Sequence, residues 1–233
     1  KTAVEAREKA QDVRDRIKAQ QPVKDQKVTV GVFAEAWIGS TLKASDRKAT
    51  TKAMYATVTR KHVVASKLGA VTLDKLKASH IEAWIVELRE RGLSQSTVRS
   101  AYTILRSILD AAVRDEAITK NPAVAIKRPK VDAKEAAYLT KAQIDALMVE
   151  AQSTRYAELF DFLSNTGLRR GEALALKWSD VDFTKDEIRI RGTLARIDGA
   201  LTVTEPKTGK SKRRLHINEK ARQALKTVEV RQK

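Results

Sequence analysis

In 233 residues, 46 Lys and Arg against 29 Asp and Glu leave a net charge of +17, so the expected partner is a polyanion, nucleic acid first. Apolar residues make up 42%, enough for two modest cores, with no long apolar run for a membrane and no signal-peptide pattern. Cysteine is absent, which excludes disulfides, a thiol nucleophile and Cys-ligated zinc, and the scattered His62, His80 and His216 form no metal cluster.

The chain opens on Lys1 rather than Met, so an upstream native start is expected. Residues 1 to about 20 are rich in helix formers with sparse apolar points at Val4, Val13 and Ile17, which predicts an exposed connector helix. Pro22 ends it, and a polar linker runs to residue 27.

Residues 28–124 read as one helical domain. Val32, Phe33, Ala36 and Trp37 predict a short amphipathic helix ending at Gly39. A second helix opens after Asp46-Arg47-Lys48-Ala49-Thr50, with Met54, Tyr55, Val58 and His62 on one side. A third spans 79–91, with Ser79 as cap, Ile81, Trp84, Ile85 and Leu88 inward, and Gly92 as stop. Ser94 or Ser96 caps a fourth, 97 to about 115, carrying Val98, Ala101, Tyr102, Leu105, Ile108, Leu109 and Ala112. The aromatic residues fall on helical stripes and are read as core, while His62 and His80 are read as helix-end and cap-region residues.

Hydroxyls and cations at helix starts are common phosphate contacts. The candidates are Arg47, Lys48 and Thr51 before and in the second helix, and Ser94, Ser96, Thr97, Arg99 and Arg106 along the fourth. Capping and solvation explain the same residues without a ligand. Residues 125–137 form a basic, Pro-containing linker whose Lys127, Arg128 and Lys130 can lie along a nucleic-acid backbone.

The second domain, 138–233, opens with Thr140 as a helix cap, followed by a helix around 156–164. Thr166 or Asn165 can cap the next helix, whose first turn carries Arg169 with Glu172 three residues on. An arginine at an electropositive helix start is unfavourable unless an anion sits nearby, and a planar guanidinium binds a phosphate bidentately. After Asp182 the period changes to alternation. Residues 187–192 read as a strand, Asp198-Gly199 as a turn, 201–204 as its partner, 207–210 as a second turn and 213–217 as a third strand; Asn218 caps a last helix. The fold class is therefore mainly α, with a small three-stranded antiparallel sheet in the second domain.

The stretch from Thr166 to Asp182, Thr-Gly-Leu-Arg-Arg-Gly-Glu-Ala-Leu-Ala-Leu-Lys-Trp-Ser-Asp-Val-Asp, resembles the first-arginine block of the tyrosine recombinases, the phage-integrase family. The Leu-Ser-Gln-Ser-Thr-Val opening of the fourth helix, with Ala-Val-Arg-Asp and Asn-Pro-Ala after it, resembles the core-binding domain of that family. The resemblance implies a two-domain clamp on double-stranded DNA, with 1–27 as the tail of an arm-binding domain. It implies strand cleavage and rejoining through a 3′-phosphotyrosyl bond, without metal or cofactor, by a tetramer on DNA in the cytoplasm. Arg169 takes the place of the first phosphate-clamping arginine, Glu172 of the acidic residue behind it, and Lys207 of the leaving-group lysine, with Lys210 and Lys212 as weaker candidates.

The family's His-x-x-Arg block and its tyrosine fall beyond the matched region. Tyr55, Tyr102, Tyr138 and Tyr156 all precede Arg169. Two readings follow: a site-specific recombinase or integrase of mobile DNA whose chain here lacks the nucleophile, or a non-enzymatic DNA-binding protein occupying such sites. On the first, the missing part covers apolar side chains such as Leu174, Leu176 and Leu225.

Overall fold

A computed structural model describes residues 28–132, 135, 137–205 and 212–233, together with helical residues 7, 10, 11, 14 and 15. The rest of the expected N-terminal helix and linker, and Lys207 and Lys210, lie outside the described residues. The chain divides into two units, Lys1–Lys134 and Glu135–Lys233. No helix among the described residues is long and apolar enough to cross a membrane.

In the first unit, the Thr29 hydroxyl accepts from the Val32 amide and starts α1, Val30–Trp37. Val30, Ala34 and Trp37, at helical spacing, are buried, whereas Val32 is 62% exposed and Ala36 faces solvent. Of the expected stripe, Trp37 is buried and half-buried Phe33 packs on the core, while Val32 and Ala36 face out. Close approach favours this phase: a Cβ on Gly31 would sit 3.0 Å from the Gly69 carbonyl oxygen. Nor does the helix stop at Gly39. It widens into a π turn, Ile38–Leu42, that buries Leu42.

α2, Ala49–Thr59, runs into a second π turn, Arg60–Val64, which carries His62 and Val63 into the core and leaves Met54 exposed. α3, Ala78–Glu90, buries Ile81, Trp84, Ile85 and Leu88 as expected. Its cap is Lys77 rather than Ser79, because His80 Nδ1 reaches back to accept from the Lys77 amide at 3.3 Å. α4, Gln95–Arg114, is the central helix, started by Ser94, whose Oγ accepts from the Thr97 amide. The whole expected stripe from Val98 to Ala112 is buried, with Ile104 and Ala111 added. Each large side chain so removed from water contributes about 1.5–3 kcal/mol before entropy is counted.

The segment after α4 is tied back along it. The Tyr102 hydroxyl lies 2.7 Å from the Ala123 and 2.9 Å from the Ile126 carbonyl oxygen. Arg128 donates to Thr103 Oγ1 at 3.1 Å. Gln95 exchanges two hydrogen bonds with Asp132, donating to its carboxylate and accepting from its amide. The first part of the basic stretch, up to Asp132, is thus fastened to the first unit rather than hanging as a tether.

The second unit opens with α5, Lys141–Ala151, under a reciprocal Thr140–Gln143 cap. α6, Ala157–Thr166, lies against α8, Glu219–Gln232, which Asn218 caps. Between them come short α7, Arg170–Leu174, and two sheets. β1 (Val181–Asp182), β2 (Glu187–Ile190) and β5 (Arg213–His216) form an antiparallel sheet, with Ile188 opposite Leu215 and Ile190 opposite Arg213. β3 (Thr193–Ile197) and β4 (Ala200–Thr204) form a separate hairpin.

The expected pairing of 187–192 with 201–204 is therefore wrong, as is the single three-stranded sheet built on it. The chain breaks at Arg191-Gly192, and Asp198-Gly199, both at positive φ, turn β3 back onto β4. Phe162, Leu168, Ile188, Ile190, Ile217 and Leu225 form the core of this unit.

Candidate functional site

Thr166 and Asn165 do not cap the helix after them; they end the one before. The Thr166 hydroxyl donates to the Phe162 carbonyl, and Gly167 at φ 63° provides the left-handed exit from α6. Leu168 is buried, which turns Arg169 outward as the extended N-cap residue of α7. Arg169 thus sits before the helix, not inside its first turn.

Glu172 then reaches back. Its Oε2 accepts from the Arg169 amide at 3.2 Å, and its Oε1 from Arg169 Nη1 at 3.1 Å. A second guanidinium arrives from β5: Arg213 Nη2 lies 3.1 Å from Oε2 and Nη1 3.4 Å from Oε1. Glu172 is 4% exposed, whereas the Arg169 side chain is 78% exposed. Burial alone would raise the Glu172 pKa; hydrogen bonds from Arg213 and from the backbone and side chain of Arg169 outweigh it and hold the carboxyl below its ordinary range. The carboxylate is buried and satisfied at both oxygens, while the guanidinium it steers keeps most of its surface open to a ligand.

Neighbouring elements fix this corner. A Cβ on Gly171 would lie 2.3 Å from Thr193 Oγ1 and 3.0 Å from the Leu194 carbonyl oxygen, so only glycine lets β3 lie against α7. Buried Asp180 pairs with Arg191 at 2.5 Å, at the break between β2 and β3. Asn218 donates to Asn165 at 3.0 Å, joining the end of α6 to the start of α8.

Arg213 was not among the sequence candidates. It lies 41 residues from Glu172, and no local spacing announces the contact. The available signal was an arginine at an inward position of a strand next to a lysine-bearing turn. Lys212 pairs with Glu205 at 3.0 Å on the surface, and Leu174 is exposed while Leu225 is buried.

In the first unit, Ser96, Arg99, Arg128, Tyr55 and Met54 line a groove of about 360 Å³ between α2, α4 and the strapped segment. Arg47 stacks on Tyr55 at 5.3 Å, and Ser94 lies within hydrogen-bond distance of both Ser96 and Thr97. Arg106, Lys127 and Lys130 are exposed but do not line the groove, and exposed Lys48 and half-buried Thr51 flank the start of α2. A groove of cations and hydroxyls beside a helix start has the chemistry of a phosphate-backbone contact. Trp37, Trp84 and Tyr102 are buried, as their stripes predict, and Trp84 Nε1 donates to the His62 carbonyl at 2.6 Å. His62 is neutral-favoring: burial, then Arg91 and Lys61, lower its pKa.

Residues 137–233 match the family model described as "Phage integrase family", and residues 29–118 match "Phage integrase, N-terminal". A protein of Caldanaerobacter subterraneus subsp. tengcongensis named tyrosine recombinase XerC-like is 25% identical, over 99% of this chain and 59% of its own length. The ICEBs1 integrase of Bacillus subtilis is 31% identical over 64% of this chain and 41% of its own. The chain thus spans about half the length of these curated relatives. Among solved structures, the Tn1549 transposon integrase in complex with transposon right end DNA is 26% identical with a TM-score of 0.73, covering 88% of this chain and 66% of that one. A lambda integrase dimer bound to a core site shares the fold, with a TM-score of 0.64 at 17% identity, over 93% of this chain and 57% of that one.

Proposed function

The chain belongs to the phage integrase family, and from that premise we propose that its complete protein is a site-specific DNA recombinase acting through a 3′-phosphotyrosyl intermediate. The observation that carries the proposal is a guanidinium held at its base by a buried carboxylate and open over the rest of its surface. Such a group meets the charge that gathers on a phosphoryl oxygen during displacement, and its fork fixes the orientation of the phosphate.

In the proposed reaction a tyrosine oxygen attacks phosphorus, the P–O5′ bond breaks, and the departing 5′-oxygen takes a proton. Arg169 stabilises the pentavalent phosphate, Glu172 orients Arg169, and Lys207 supplies the proton. Attack by the freed 5′-hydroxyl of another strand reverses the sequence and rejoins the DNA. The groove at Arg99 and Arg128, the start of α2 around Arg47, Lys48 and Thr51, and the exposed Arg106, Lys127 and Lys130 contact duplex phosphates. Four protomers assemble on two recombining duplexes in the cytoplasm.

None of the four tyrosines follows Arg169: Tyr55 and buried Tyr102 lie in the first unit, and Tyr138 and Tyr156 are exposed in the second but precede Arg169, where the family resemblance places no nucleophile. The 233-residue chain alone therefore binds duplex DNA without nicking it. The test uses a nicked suicide duplex with the full-length protein and with this chain. The full-length protein is expected to give a protein-linked DNA band that is lost in Arg169→Gln, and the chain to give only a non-covalent shift. A covalent band from the chain itself overturns its assignment as an inert binder, and none from the full-length protein favours a non-enzymatic DNA-binding role.

A further inference from the structure

We infer that Arg213 is a positioning residue of the strand-cleavage site, acting on Arg169 through the carboxylate they share; this rests on the recombinase reading above. Glu172 is addressed both by the capping geometry of α7 and by the end of β5, and it is buried. Arg213 meets it through both terminal nitrogens, one on each oxygen, an end-on fork that fixes the plane of the carboxylate. With that plane fixed, Oε2 faces the Arg169 amide and Oε1 faces Arg169 Nη1. Arg169 is too exposed to be oriented by packing, so its direction depends on this contact.

Strand register supplies the rigidity. Arg213 is paired across the sheet with Ile190, which is 2% exposed, so the base of its side chain is anchored in the core. The network therefore joins the sheet to the loop before α7 across 41 residues of chain. A surface ion pair would contribute little, but a carboxylate removed from water and then deprived of one partner is strongly destabilised. Without Arg213, the Glu172 carboxylate has a free side and rotates toward solvent, and Arg169 loses its set direction while the DNA-contacting surfaces of the first unit are untouched.

The experiment measures single-turnover formation of protein-linked DNA at saturating suicide duplex, together with duplex affinity and melting temperature, in the full-length protein. Arg213→Gln is expected to slow cleavage by about 10- to 100-fold, the range over which partners behind a site ligand act, with affinity changed by less than about 2-fold. Arg213→Lys, which keeps the charge but cannot span both oxygens, is expected to recover part of the rate and guards against a glutamine variant that does not fold. In the Glu172→Gln background, adding Arg213→Gln is expected to cost nothing further. Arg222→Gln, which cuts the Arg222–Asp186 pair elsewhere in the unit, controls for loss of stability without loss of cleavage. Wild-type rates in both Arg213 variants, losses that multiply with Glu172→Gln, or a loss of rate matched by Arg222→Gln each overturn the inference. No protein-linked DNA from the wild-type protein removes the recombinase reading itself, a distinct failure.

Discussion

Replacing Arg169 by Lys in the full-length protein keeps the charge and removes the planar fork. Cleavage at saturating DNA is expected to fall by about 10²- to 10³-fold, the usual loss for one oxyanion-stabilising donor, while duplex affinity changes little. Cleavage at the wild-type rate would remove Arg169 from the phosphate. His62 gives a second residue-level expectation, with the sign set by its environment. Its pKa is lowered in the fold, so both folded and unfolded chains are neutral above the ordinary 6.5, and the unfolded chain alone takes the proton just below it. Stability is therefore full above about pH 6.5 and declines as pH falls toward the depressed folded value. Denaturant midpoints for the wild type should drop between pH 7 and 5, and His62→Gln should flatten that drop; parallel curves would assign the acid sensitivity to other groups.

Between elements, the contact of α7 with β3 through Gly171 is the most exacting. Gly171→Ala places a methyl against Thr193 Oγ1 and the Leu194 carbonyl, and overpacking of this kind costs about 1–3 kcal/mol. A melting temperature lowered by several degrees is expected, and Gly171→Ala with Thr193→Ala should regain part of it. No recovery would mean that the backbone contact alone sets the limit.

The same scale explains what could be read from the chain beforehand. Ser94, Thr140 and Asn218 were legible as caps because a cap is local, a side chain bonding an amide three residues on. The α4 stripe was legible because twenty residues carry many periods. Strand partners were not, since alternation marks a strand without naming its neighbour, and the break at Gly192 moves β2 from β4 to β5. The phase of α1 turned on Gly31 meeting Gly69, a contact between distant residues. Arg169 and Glu172 were found through their motif; Arg213 was hidden because its partner lies across the second unit.

At the scale of the whole molecule, the charge of +17 makes duplex affinity depend on salt. If about six phosphates are contacted, log affinity should fall against log salt with a slope of magnitude about 5. A flat dependence, or preference for single-stranded RNA, would exclude the duplex clamp. The Glu172 trio adds a local constraint to this global field. Two guanidiniums less one carboxylate leave a formal charge of +1, which neutralises one phosphodiester anion at rest. When an attacking oxyanion joins that phosphorus, a second negative charge enters that the trio itself does not offset. The trio alone is therefore matched to the DNA before reaction, and the surplus positive charge that would favour the reacting state has to be brought by cations outside it.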